Sequence, residues 1–458
     1  MDRNEFVKRL FERVAEREKA GGEARRAGSE VCYEESSSFE AQVKDGEIIG
    51  YNVSDGIGLG FRMLAGNGRM GYASTQILDE AAVDQLVDGA LENAALVESE
   101  DEQFIWEGDG KYPELNLYNP AIEAITAAQK IEMAKELERL TLQQDARVRQ
   151  VEDCAVFSSS DMRTLQNGKG LNVSTRVNLL GGYVVAVARD GEKVNTGFKV
   201  FFTMKPEEID LEKVAREAAR EAVDGLDGEQ APSGQYRVLL RHDVAATLLS
   251  TFWGVFNADN AQRGLSRLKG REGEVIAADC VTLMDDPHRA GSAASTPFDG
   301  EGVATFAKAV IEDGKLNTLL HNFKTAKKQG VKTTANASRP GYAAAVGVAP
   351  SNFYFKPTDV DLDGMLAKLG DGLLITEMQG MHAGANPITG DFSLAAKGFM
   401  VRGGKRAEAV AQITIAGNFY ELLADVEAVG GDLEFLAPGA SCFGSPSVLV
   451  KKLSVAGK

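Results

Sequence analysis

Histidine and cysteine are scarce in this chain, with four of each in 458 residues. The histidines are His242, His288, His321 and His382, and none is followed by glutamate. No HExxH or HExxxH segment exists. A helical zinc peptidase needs two imidazoles on one metal and a glutamate to activate the bound water. Cys32, Cys154, Cys280 and Cys442 are widely separated and form no CxxC pair. That spacing argues against a disulfide framework or a cysteine zinc site and suits single thiols in a reducing compartment. There is no GxSxG elbow and no P-loop, and Gly56-Ile-Gly58-Leu-Gly60 sits inside a strand-like meander rather than at a strand-to-helix turn. No apolar run approaches the length of a bilayer span. The N-terminus is charged throughout and lacks an apolar signal core, so a cytoplasmic chain with no membrane partner is expected. Positive charge is in deficit: 50 Lys and Arg against 67 Asp and Glu leave −17, which argues against a nucleic-acid partner. The basic cluster Lys324, Lys327 and Lys328 has the spacing of a solvated helix face.

Glycine is plentiful, at 49 residues against 12 prolines, which suggests many turns rather than disorder. The length favours two domains of roughly 200 residues each. Phe6, Val7, Leu10, Phe11 and Val14 recur at helical spacing, and Gly21-Gly22 is expected to end that helix. From Val31 to Thr75 short alternating runs carry three hairpin signals, Asp45-Gly46, Asp55-Gly56 and Asn67-Gly68. A helix with Val83, Leu86, Val87 and Ala90 inward follows. The order then recurs: a helix over about 121–141, strands over 148–201 with turns at Asn167-Gly168 and Asp190-Gly191, and a helix over about 206–223. Helix–meander–helix twice over predicts a duplicated α+β domain spanning 1–223. Residues 224–235, DGLDGEQAPSGQ, read as a linker. Residues 236–458 open with a strand and a helix over 242–256, then continue as short strands and turns, which predicts a β-rich barrel or sandwich.

The densest local signal is Glu377–Gly404, with Gly380, Gly384, Gly390, Gly398, Gly403 and Gly404 around Asn386-Pro387 and Thr389-Gly390-Asp391. Glycine at this density serves positive φ or close approach of another chain. By itself the pattern fits a glycine-rich hairpin of a β domain. Asp285, Asp286 and His288 are too few for a calcium site.

The run Asn386-Pro-Ile-Thr-Gly-Asp-Phe-Ser393 resembles the C-terminal signature of the TldD/PmbA family of bacterial peptide-processing proteins, in its PmbA (TldE) branch. Pro297-Phe298-Asp299-Gly300-Glu301-Gly302 resembles the family's DGEG-type turn. Ile311–Leu316, Gly417-Asn418-Phe419 and Ser445-Pro446-Ser447 resemble its hairpin and closing strands. In the catalytic branch an HExxxH helix opens the second domain. Here the corresponding segment keeps His242, has Asp243 for the glutamate and Thr247 for the second histidine; an alignment shifted by one residue loses His242 as well. Cys442 is the one candidate for the family's cysteine ligand, although it lies farther downstream than that ligand does.

The resemblance implies a catalytically silent subunit with no cofactor of its own. Its implied partner is a TldD-type homologue carrying zinc, or else a second copy, in an assembly that encloses a chamber and processes unfolded peptide. Phe298, Asp299, Gly300, Glu301, His382, Asn386, Thr389, Gly390 and Asp391 are the peptide-contacting residues it suggests. A peptide added as a strand suits a β-rich domain with glycine-lined edges. The family's older label, modulator of DNA gyrase, offers a different class of function: a self-associating regulatory protein acting through protein contact. A third reading is a remnant hydrolase using His242 and Asp243.

Overall fold

A computed structural model describes residues 1–20, 28–98 and 101–458; the expected helix stop at Gly21-Gly22 lies outside them. The first half contains α1 (Arg3–Ala20), β1 (Ser29–Lys44), β2 (Glu47–Leu64), β3 (Met70–Thr75), α2 (Glu80–Leu96), α3 (Pro120–Glu123), α4 (Ala127–Gln143), β4 (Val148–Asn167), β5 (Asn172–Asp190), β6 (Lys193–Thr203) and α5 (Leu211–Asp224). The strands make one antiparallel sheet in the order β3-β2-β1-β4-β5-β6. Two meanders of the same topology thus meet at their first strands, where Ser37 lies opposite Ser160. Each keeps its own helices. Phe6, Leu10, Leu86 and Val87 of α1 and α2 pack on Leu59 and Phe61, and Ala134, Leu137, Ala218 and Ala222 of α4 and α5 pack on Val156 and Val184. The duplicated order read from the sequence is therefore a duplicated half-sheet.

The hairpin expected at Asp55-Gly56 does not form. Both residues lie inside the 18-residue β2, opposite Ser37 and Ser36. A tight two-residue hairpin needs positive φ, which Asp45 (53°) and Gly46 (77°) adopt and Gly56 does not. Continuous pairing with β1 outweighs the local turn preference. The helix expected over 121–141 is broken, because Thr126 forms a capping box with Gln129 and restarts it as α4.

The second half contains β7 (Gly234–Leu240), α6 (His242–Phe252), α7 (Ala258–Gln262), β8 (Leu283–Asp285), β9 (Lys308–Glu312), β10 (Lys315–Leu316), α8 (Phe323–Gln329), β11 (Ala337–Ser338), β12 (Gly347–Val348), β13 (Asn352–Phe355), α9 (Leu362–Leu369), β14 (Gly372–Gln379), α10 (Met381–Gly384), β15 (Asp391–Arg402), β16 (Lys405–Asn418), α11 (Phe419–Ala424), β17 (Val426–Val429), β18 (Glu434–Phe435), β19 (Cys442–Ser445) and β20 (Val448–Ala456). Strands β16-β15-β14-β7-β20 are consecutive neighbours, and pairing of Ile415 with Val455 closes them into a barrel. Of barrel and sandwich, the chain takes the barrel. A second sheet runs β10-β9-β8-β13-β19-β18. Helix α6 fills the space between the two. Its Val244, Leu248, Leu249 and Phe252 are buried, and Phe252 stacks on Phe419 at 4.9 Å between ring centres. The helical register stops at Phe252, and Trp253–Phe256 continue as a tighter 3-10 turn. Residues 224–235 are not a free tether, since Glu229 exchanges backbone bonds with Ala409 and Ala411 of β16.

The halves meet at the seam of the first sheet. Glu30 of β1 and Arg62 of β2 pair at 2.9 Å, and Arg339 from the second half joins the same Glu30 oxygen. These side chains are 0%, 2% and 4% exposed. Beside them, a Cβ on Gly60 would lie 1.7 Å from the Tyr342 carbonyl oxygen, so the 335–342 loop reaches the sheet only because residue 60 has no side chain. Gly60→Ala is expected to lower stability by about 1–3 kcal/mol, the range of forced overpacking. Urea unfolding measures this, and an unchanged midpoint would show that the loop does not bear on the sheet there.

Candidate functional site

Helix α6 begins where the metal motif of the resembled family would fall. Arg241, its first flanking residue, bonds both Asp243 oxygens at 2.7 and 2.6 Å. The same guanidinium pairs with Glu221 of α5 at 2.5 Å and donates to the Thr376 carbonyl at 2.8 Å. Thr247 donates its hydroxyl back to the Asp243 carbonyl, one turn earlier in its own helix, at 2.7 Å. His242 lies between two acids, with Nδ1 3.3 Å from Asp432 and Nε2 3.0 Å from Glu434. Asp432 is held in turn by the Ser447 amide and hydroxyl at 2.8 and 2.6 Å.

Burial alone would lower the His242 pKa, but the bonds to Asp432 and Glu434 outweigh it and raise it to about 9. Burial likewise opposes ionisation of Asp432, yet His242 and Ser447 hold it at about 2. Glu434 has a side chain 65% exposed, so water screens its share and Asp432 is the stronger partner. Both imidazole nitrogens therefore face acids, Asp243 faces a guanidinium, and Thr247 faces its own backbone. Among the described residues no group of three or more His, Cys, Asp or Glu could hold a metal ion. As arranged, these residues do not fit a zinc centre. Cys442 is buried, with Sγ 3.5 Å from the Leu436 carbonyl, and Asp285 is engaged by Lys308 at 2.8 Å.

Phe298, Asp299 and Gly300 lie at the wall of a cleft of about 370 Å³ between the sheet, represented by Glu34, Ser36 and Arg163, and the loops of the second half. The side chains of Phe298, Asp299 and Glu301 are themselves buried. Asp299 accepts the amides of Glu301, Val303 and Ala337 at 2.9 to 3.0 Å. Glu301 accepts the Phe323 amide at 2.9 Å and faces Arg62 at 3.9 Å. Burial pushes both carboxyls upward in pKa, Asp299 also through the charge of Glu301. This turn serves the junction between the halves and offers the cleft little side-chain surface.

The 382–391 segment is different. His382, Asn386, Pro387 and Asp391 are exposed, and Ile388 at the tip is 49% exposed. The shape is fixed from within: the Asn386 side chain accepts the amides of Ile388 and Thr389, and the Gly390 amide donates to the Asn386 carbonyl. Asn418 donates to Thr389 at 2.9 Å and to Asp391 at 2.7 Å, which fastens the loop to the end of β16. Gly390 has φ of 83°, and a Cβ there would lie 2.7 Å from the Tyr420 ring. Among the described residues no hydrogen bond or ion pair joins this loop to the 298–301 turn. The groups that sequence reasoning missed are Arg241, Asp432, Glu434, Glu30, Arg62 and Arg339. Arg62 left a trace, as a charge between Phe61 and Met63 inside a strand; Glu30, between Ser29 and Val31, left less.

The pH consequence of the His242 clamp has a definite sign. The folded pKa of about 9 lies above the unfolded value of about 6.5, so the stabilisation is complete below 6.5 and is lost as pH rises through 9. Wild-type unfolding free energy should fall across that window by on the order of 1–3 kcal/mol more than that of His242→Gln. Parallel slopes for the two proteins would mean that the ion pairs contribute nothing.

Three family profiles match the chain: PmbA/TldA metallopeptidase domain 1 over residues 29–94, the central domain over 120–226 and the C-terminal domain over 233–457. The chain is 28% identical over 445 residues to the metalloprotease PmbA homolog of Haemophilus influenzae, covering 94% of this chain and 92% of that one. It is 28% identical over 444 residues to metalloprotease PmbA of Escherichia coli, with the same shares. A Thermotoga maritima crystal structure named as a candidate modulator of a DNA gyrase matches with a TM-score of 0.89 and 32% identity, over 99% of this chain and 100% of that one. TldE from Thermococcus kodakarensis shares the fold, with a TM-score of 0.87 and 22% identity, over 98% of this chain and 100% of that one. With all three domains matched in order and full-length relatives on both counts, the chain belongs to the PmbA/TldD family.

Proposed function

We propose that this chain is the non-catalytic, TldE-like subunit of a peptide-processing metallopeptidase assembly. It pairs with a zinc-bearing, TldD-type homologue, walls the chamber in which peptide is cut, and holds unfolded peptide there. The observation that carries the proposal is the contrast at the two candidate sites. At the head of α6, His242, Asp243 and Thr247 are each committed to internal partners. The 380–391 loop keeps its internal bonding and an exposed face. Without a metal-activated water the barrier to amide hydrolysis stays high, and a histidinium between two acids is not a base. Formal charge of −17 favours protein and peptide partners over DNA.

The isolated chain is expected to carry no stoichiometric zinc after mild dialysis. Elemental analysis decides, and one zinc per chain that is lost in His242→Ala would establish a metal centre at α6.

The chain alone should not cleave an unstructured peptide, yet cleavage by a TldD-type partner should require it. Gly390→Val forces a side chain into Tyr420 at positive φ, and Asp391→Ala removes one of the two acceptors of Asn418. Either change should lower the turnover of the mixed pair at least about tenfold, more than His242→Ala does, with folding checked by circular dichroism. Loss of turnover in His242→Ala with full activity in both loop variants would refute the subunit reading.

A further inference from the structure

The charges buried where the two halves join do not balance. Beside Glu30, Arg62 and Arg339 lie Asp299 and Glu301, only 5% and 6% exposed. Three carboxyls against two guanidiniums leave one negative charge in excess when all are ionised. Both guanidiniums engage the same oxygen, Glu30 Oε1, through Arg62 Nε and Arg339 Nη2. Glu301 Oε1 lies 3.9 Å from Arg62 Nη1, beyond hydrogen-bond length, and Asp299 is held by three backbone amides. Three buried atoms of the cluster lack a hydrogen-bond partner among the described residues: Glu30 Oε2, Arg62 Nη2 and Arg339 Nε. The cations around the cluster are held elsewhere. Arg163 of β4 pairs with Glu34 of β1 at 2.6 Å, Lys308 of β9 with Asp285 at 2.8 Å, and Lys169 donates to the Ile105 carbonyl at 3.0 Å. Helix α8 gives Glu301 the Phe323 amide, while its Lys324, Lys327 and Lys328 are tied to Asp259, Glu102 and Asp101. Burial pushes the neighbouring Cys32 thiol up and His321 down in pKa, which keeps both uncharged. Tyr72 and Tyr112 bring phenol hydroxyls, and Asp109, which accepts the Ala304 amide at 2.6 Å, adds to the negative excess.

We propose that the junction is a proton-binding site: Asp299 and Glu301 hold one hydrogen between them in mildly acid to neutral solution, so that docking of the halves weakens as pH rises. The site lies apart from α6 and from the 380–391 loop, so it stands whether or not the chain handles peptide. A shared hydrogen removes the excess charge, and an unpaired charge withdrawn from water is the costly alternative. Two acids in one turn release their protons in separate steps, and the second step belongs to the pair. Burial pushes both carboxyls up in pKa. The charge of Glu301 adds to this at Asp299, and the charge of Glu30 adds to it at Glu301, against the opposing guanidiniums of Arg62 and Arg339. The pair also spans the joint. Glu301 faces Arg62 of the first half, while Asp299 fastens Ala337, two residues before Arg339. Ionisation of both sets Glu301 against Glu30, the acid that both guanidiniums hold. Loss of the hydrogen therefore acts on the contacts that join β1 and β2 to the 335–342 loop.

Infrared absorption of the full chain at about pH 6.5, where ordinary carboxyls are almost all ionised, should show the carbonyl stretch of a protonated carboxyl. Glu301→Gln and Asp299→Asn should each remove it, because the remaining acid of the pair then has one negative neighbour fewer. Asp161, also raised by burial, is the other candidate carrier, and Asp161→Asn should leave the band in place. The sign of the docking change follows from linkage. Carboxyls that titrate higher when folded than their unfolded range of about 4 make the folded state lose stability as pH rises from there to the folded value, and no further above it. Opening of the segments around Phe323 and Ala337, read by hydrogen exchange corrected for its intrinsic rate, should rise about tenfold per pH unit from about pH 5 until the pair is deprotonated, and then level off. In Glu301→Gln it should stay flat within about twofold over the same range. That variant keeps an acceptor for the Phe323 amide and leaves the His242 clamp intact, so the pH dependence of the clamp is common to both proteins. Absence of the band in the wild type, its persistence in both junction variants, its loss in Asp161→Asn, or equal pH dependence of exchange in wild type and Glu301→Gln would overturn the proposal. The wild-type band and its titration need no variant, so they decide even where circular dichroism shows a variant misfolded.

Discussion

The buried ion cluster at the seam of the first sheet is the constraint on which the arrangement of this protein depends. Glu30 and Arg62 belong to one half and Arg339 to the other, and all three are withdrawn from water. Removing one member of a buried charged group leaves its partners uncompensated, at a cost of about 3–5 kcal/mol. An undocked first half would hold Glu30 and Arg62 without their third member. Docking is therefore part of the folded state of each half. The same junction recruits Asp299 and Glu301 through backbone amides, and Arg163 bridges Glu34 to the Arg339 carbonyl. Two matched meanders alone would not fix where the barrel sits; this cluster does.

With the halves fixed, α5 lies against the head of α6, and Arg241 can span Glu221 and Asp243. A helix N-terminus with its first-turn acid pointed at an arginine is electrostatically complete, because the acid also answers the helix dipole. His242 is completed from the other side by Asp432, at the start of the segment leading to β18. The head of α6 is organised by ion pairs between chain segments far apart in sequence. These pairs join the central domain, α6 and the last sheet, so they have a structural use whatever the chain's partner does.

Much of the architecture was legible in the sequence. The helices announced themselves by apolar spacing, and most hairpins by Asp-Gly or Asn-Gly. The failure at Asp55-Gly56 is instructive: a local turn signal competes with sixteen residues of β1 available for pairing, and only the register of β1 shows which prevails. The 386–391 turn was visible because its glycines and asparagine are needed for local geometry. Arg241, Asp432 and Glu434 were not visible, because they are ordinary charged residues whose significance lies in partners far away in the chain, as Asp432 lies 190 positions from His242. Local chemistry is written locally; ion pairs between domains are not.

The two halves also differ in how they deal with strand edges. The second half closes five strands into a barrel, which removes their edges altogether. The first half leaves its duplicated sheet open, and the repeat is unequal at its outer strands. β6 is eleven residues long and covers β5 from Leu180 to Asp190, whereas β3 is six residues long and covers only the end of β2. A third strand as long as β6 would cover β2 only back to Ser54, so Ile49, Tyr51 and Val53 would still lie at the edge. Both outer strands therefore leave the beginning of their neighbour without a strand partner on that side among the described residues, Glu47–Gly58 of β2 and Asn172–Leu179 of β5.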